Sequence, residues 1–173
     1  MDRFLSRALR LLAAQLVVLT AVIHLSWGLP RAAVYLDPAA LELYLSTSAF
    51  PDPRPVLFVL SGSAVAVGLV AAWRGYLSTA RAYRLGIAMM AIYVVGWVVW
   101  HTTGHGQLLF GEAVTGVGGG HQHQAGLVAT VVDHIVTLPL EAASKSAEVG
   151  AIALFLALLR GDPDIADDDR FPW

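Results

Sequence analysis

Six histidines and no cysteine define the chemistry open to this chain of 173 residues. Without thiols there are no disulfides, thiolate ligands or cysteine nucleophile, so a bound metal must sit on imidazole, carboxylate or thioether. His101 and His105 close an apolar run that also carries Trp97 and Trp100. Their spacing of four puts both imidazoles on one face of a helix, about one turn apart. Glu141, Lys145 and Glu148 follow at spacings of four and three, so they share a helix face and can pair with one another. His134, seven residues before Glu141, extends that stripe unless Pro139 rotates it away.

Two cofactor arrangements suit these residues. His24 and His101, on different helices, could be the axial pair of a b-type haem. Alternatively His101, His105, His134, Glu141 and Glu148 could gather a transition metal (Cu, Zn or Fe), since imidazole suits all three. A third reading makes Glu141, Lys145 and Glu148 a proton or ion relay, with Lys145 as counter-ion to the two acids. His121 and His123, in a glycine-rich loop, could capture metal weakly. The competing structural reading is that His101 and His105 are interfacial rings ending a membrane span beside two tryptophans.

The positioning elements follow from composition. The chain is 57% hydrophobic and 14% charged, whereas a soluble domain carries roughly 25% charged residues, so its polar surface is too small to cover a soluble fold. A net charge of −2 gives no reason to expect a nucleic-acid partner. The expected class is an all-α polytopic membrane protein, a bundle of four transmembrane helices with one short surface helix.

The spans are expected at about 8–28, 55–73, 85–103 and 140–160, each near the ~20 residues that a bilayer core requires. Arg3, Arg7 and Arg10 precede the first run, no small-residue cleavage site follows it, and it reads as a retained anchor that Gly28 and Pro30 should stop. In the connection after it, Asp37 and Pro38 read as the cap and first residue of a short helix on the membrane surface. Ser61, Gly62, Ser63, Ala64, Ala66 and Gly68 in the second span are the small residues that let helices approach closely in lipid. The loop 74–84 carries three arginines and no acid, which under the positive-inside rule places it and both termini in the cytoplasm.

A helix from about 125 to Arg160 would reach about 54 Å, so part of it must stand outside the lipid or break, with Pro139 the expected kink. Residues 161–173 should form an acidic, solvated tail with too little apolar content to fold.

Depth can be gauged by counting 1.5 Å per residue from the arginine at each helix's inner end. His24 then lies about 21 Å up, His101 about 25 Å, His105 about 31 Å, Glu148 about 18 Å, Lys145 about 22 Å and Glu141 about 28 Å. All fall in one slab in the outer half of the bilayer. A mid-bilayer charge costs at least ~2.5–3.5 kcal/mol, so this stripe should face the bundle interior.

The expected protein is therefore a multi-pass cell-membrane protein whose His/carboxylate cluster binds a transition metal or haem for redox or metal handling. Its alternatives are proton, ion or small-solute transport, and a non-catalytic subunit of a membrane complex or homo-oligomer. No serine elbow, His-Glu-x-x-His or dinucleotide fingerprint is present, so no reaction is named.

Overall fold

A computed structural model describes residues 1–47, 52–102 and 127–168. Every regular element among them is a helix: α1 (Arg3–Val34), α2 (Pro38–Thr47), α3 (Arg54–Trp73), α4 (Thr79–Thr102), α5 (Leu127–Thr137), α6 (Pro139–Gly161) and α7 (Pro163–Asp168). Four of these, α1, α3, α4 and α6, are long and apolar enough to cross a membrane. The expected spans lie within their bounds, except at residue 103, which is outside the described residues.

Local chemistry explains most of the ends. Asp2 caps α1, its Oδ1 accepting the Leu5 backbone N–H at 2.7 Å. Asp37 does the same for α2, accepting from Ala39 and Ala40. The leucines of α2 (Leu41, Leu43 and Leu45) are all exposed, so this helix stands off the bundle as an apolar surface element. Leu138 breaks the last long helix into α5 and α6, and Pro139 opens α6, where its missing N–H costs nothing.

Two expectations are corrected. Gly28 and Pro30 do not stop the first helix, which runs on to Val34 with Pro30 inside it. Proline removes only the hydrogen bond to one carbonyl, and long membrane-type helices absorb that loss. Nor is residue 161 the start of an unfolded tail. Pro163–Asp168 forms a short helix, and the Asp162 side chain is fully buried against Arg10.

α1 packs against α3 on one side and α6 on the other, and α6 packs in turn on α4. The buried stripe of α1 (Ala13, Val17, Thr20, Ala21, His24 and Gly28) steps by three and four, the repeat of one helix face. It meets Val65, Tyr83, Met90, Ala151, Phe155 and Leu158 in the core. Small residues allow the close crossings. A Cβ on Gly62 would meet Leu25 of α1 at 2.8 Å, and one on Gly86 would meet the Phe155 ring at 2.5 Å. Gly68, by contrast, faces open space. The outward faces are apolar, with Leu57, Leu60, Val67 and Val70 of α3 all exposed.

The two ends of the bundle differ. At one end Arg31 lies over the Trp27 ring at 4.2 Å, and Arg54 over Trp100 at 4.3 Å. Such Arg–Trp stacking suits the edge of an apolar slab. At the other end, the Arg10 guanidinium binds Asp162 (2.5 Å) and Asp164 (2.6 Å), and the Tyr83 hydroxyl donates to Asp162. Burial alone would raise the Asp162 carboxyl, but hydrogen bonds from Arg10, Tyr83 and the Asp164 backbone N–H hold it well below the usual carboxylate range.

Candidate metal centre

The polar side chains expected in a single slab occupy two storeys. On the upper one, His101 (end of α4), His134 (α5) and Glu141 (first turn of α6) each offer a ligand atom within 4.8 Å of the others. His134 is buried, and the other two are half-buried.

Each ring is oriented by a specific bond. His101 lies four residues after Trp97, and its Nδ1 bonds the Trp97 carbonyl at 2.8 Å. The His134 Nδ1 bonds Glu141 Oε2 at 2.9 Å. On a straight helix, residues seven apart would be about 10.5 Å distant along the axis. Here the break at Leu138 lies between them, and their side chains meet across it. These bonds fix the orientation of both rings, and the His134 Nδ1 faces the Glu141 carboxylate directly. The His101 and His134 rings are 4.3 Å apart at 71°.

Trp97 joins the three. Its indole N–H donates to Glu141 Oε2 at 3.1 Å, its carbonyl holds His101, and its ring lies 4.6 Å from His101 and 5.7 Å from His134. Sequence reasoning gave Trp97 only an interfacial role. The missed signal is its position one helical turn before His101, which aligns the two on one face.

On the lower storey, Glu148 is fully buried and paired with Lys145 at 2.5 Å, while the Ser144 hydroxyl donates to its other oxygen at 2.7 Å. Lys145 also reaches the Tyr93 carbonyl at 3.4 Å. His24 belongs here: its Nδ1 bonds the Thr20 carbonyl at 2.8 Å, and its ring stacks on Tyr93 at 4.1 Å with Phe58 edge-on.

The structure thus brings His101, His134 and Glu141 together and leaves His24 and Glu148 out of that group. The haem pairing of His24 with His101 is not assembled, because His24 lies against Tyr93, two helical turns before His101. Glu141 binds His134 and Trp97 rather than joining Lys145 and Glu148 in one cluster. Asp133 is exposed, unlike its buried neighbour His134. His105, His121 and His123 lie outside the described residues.

Two nitrogens and a carboxylate oxygen form the kind of mixed donor set that zinc, copper(II) and iron(II) accept. No protein-family model matches this chain, and neither a curated protein nor a solved structure matches it.

Proposed function

We propose that this is an integral membrane protein that holds a first-row transition metal (Zn, Cu or Fe) on His101, His134 and Glu141 and serves metal handling or redox chemistry. The observation that carries the proposal is the convergence of three ligand atoms from three helices within 4.8 Å. Four apolar helices with apolar outward faces support insertion in a bilayer. The arginines near both termini and in the loop 74–84 support a cytoplasmic location for that end. The triad then sits toward the opposite face, where metal can arrive from outside the cell.

The bound ion would supply Lewis-acid or electron-transfer chemistry. The protein's part is to hold two imidazoles and one carboxylate in place, with Trp97 hydrogen-bonded to two of the three. Elemental analysis and an absorption spectrum of the detergent-purified protein test the proposal. Metal near one equivalent, lost in His134→Ala, is the expected result. Protein with neither stoichiometric metal nor a Soret band refutes both the metal and the haem forms.

A second reading, proton or ion movement through the bundle, is favoured by the fully buried Glu148 paired with Lys145 near the middle of α6. It requires a pH-gradient flux in liposomes that Glu148→Gln abolishes. Equal fluxes from the two proteins would end it.

A further inference from the structure

At the end of the bundle that carries the start of α1 and the short helix α7, a small polar notch is lined by Arg3, Ser6, Arg7, Arg10, Pro163 and Asp164. Arg3 and Arg7 are four apart on α1, so their guanidiniums project from the same face, one turn from each other. Arg10 is committed to Asp162 and Asp164. Among the described residues Arg3 and Arg7 carry no such commitment, and both are exposed.

Ser6 supplies an independent sign of a ligand. It is 1% exposed, it lines the notch, and its hydroxyl has no hydrogen-bond partner, although it lies close enough to Asp162 to favour the ionised carboxylate. A buried hydroxyl without a partner is costly to leave unmade. The uncommitted charged groups are thus two guanidinium forks, with the Ser6 hydroxyl beside them as a further donor, and the notch is lined by three cations against one acid, Asp164. That is the chemistry of a phosphate site, since guanidinium forks match phosphate oxygens in pairs.

Its position selects the source of the phosphate. The notch lies at the polar margin of α1, beside Phe4 (84% exposed) and just before the exposed apolar residues Leu11 and Leu12. A group bound here sits at headgroup height with acyl chains free to run along α1.

We propose that Arg3, Arg7 and Ser6 form a binding site for the phosphate of an anionic phospholipid headgroup, one lipid per chain. Nothing in this site touches the metal centre at the opposite end, so the two proposals stand or fall separately.

The test is native mass spectrometry of the full-length protein taken from nanodiscs of phosphatidylglycerol or phosphatidylcholine, with a parallel titration by inorganic phosphate. The wild type should retain one phosphatidylglycerol. The Arg3→Gln/Arg7→Gln variant should retain it at least about tenfold less, since each juxtamembrane cation contributes to lipid attraction. Ser6→Ala should weaken it with no change in charge. An Arg81→Gln/Arg84→Gln variant removes the same charge from the same end outside the notch and should keep the lipid. Saturable binding of inorganic phosphate, lost in the Arg3/Arg7 variant while lipid retention is unaffected, would overturn the lipid assignment. Equal retention of both lipids, or equal loss in the two double variants, would overturn the site itself.

Discussion

The two polar storeys of the bundle use similar residues to opposite ends. On the lower, Lys145, Glu148 and Ser144 satisfy one another within a single helix, and the Lys145 ammonium also reaches the Tyr93 carbonyl and lies 6.0 Å from the Trp97 ring centroid. On the upper, His101, His134 and Glu141 come from three helices, each is held by a hydrogen bond, and each offers a ligand atom within 4.8 Å of the others. A closed ion pair can be explained by its own partners. Ligand atoms that converge from three helices have the geometry that could hold a metal ion. Convergence across elements thus marks the stronger candidate, even though the lower pair is the more deeply buried.

The largest effect is expected on the lower storey. Lys145→Met leaves Glu148 buried without its cation and should destabilise the protein by about 3–5 kcal/mol. The double variant Lys145→Met/Glu148→Gln should recover most of that loss, because a neutral pair needs no charge compensation. Denaturation in a mild detergent measures both. A double variant as damaged as the single one would show that the pair is more than a closed contact.

On the upper storey, His134→Ala should lower metal affinity by more than about 100-fold, beyond the 10–100-fold that loss of an outer partner costs. Equilibrium competition with a chelator of known affinity reads this directly. Trp97→Phe keeps the ring and removes the indole N–H from Glu141, so it sharpens the same contrast. It should cost about tenfold in affinity with little change in folding stability. Unchanged affinity would remove Trp97 from the centre.

The smallest effect is expected for pH acting on the Arg10–Asp162 contact. Asp162 titrates below its ordinary value in the folded protein, so the stability it confers is present above the unfolded value near ~3.9 and lost only as pH falls further. The contribution of this contact should thus be flat between about pH 7 and 5. It should decline in acid, and the decline should vanish in Asp162→Asn. A loss beginning near neutral pH in the wild type alone would contradict this.

Much of the architecture was legible because it depends on length and local chemistry. Apolar runs of about twenty residues, Asp37 before Pro38, and Pro139 within an overlong helix each carry their meaning in a few adjacent residues. The heights were misread for a geometric reason. Counting from the nearest arginine assumes that those arginines are level. Yet Trp97, about 19 Å above Arg84, bonds Glu141, about 28 Å above Arg160, and Lys145 meets Tyr93 with the same offset. The α6 datum therefore lies about 9 Å lower than that of α4. His24, about 21 Å above Arg10, stacks on Tyr93, about 13 Å above Arg84, so the α1 datum lies lower as well. Together the two offsets split the expected slab into two storeys and separate His24 from His101.

Asp162 was hidden for another reason. Its partner Arg10 is 152 residues away, and a lone aspartate in an acidic stretch gives no hint of it. Trp97 was hidden by its own plausibility, since a tryptophan at a span's end needs no further explanation.

The central claim is that His101, His134 and Glu141 form one metal site. Titration of the purified, metal-free protein with Co²⁺, followed through its ligand-field absorption bands, tests it most directly. The account expects visible bands that saturate at one equivalent and disappear in both His101→Ala and His134→Ala. Bands that fail to saturate, or that persist unchanged in the two variants, would contradict it.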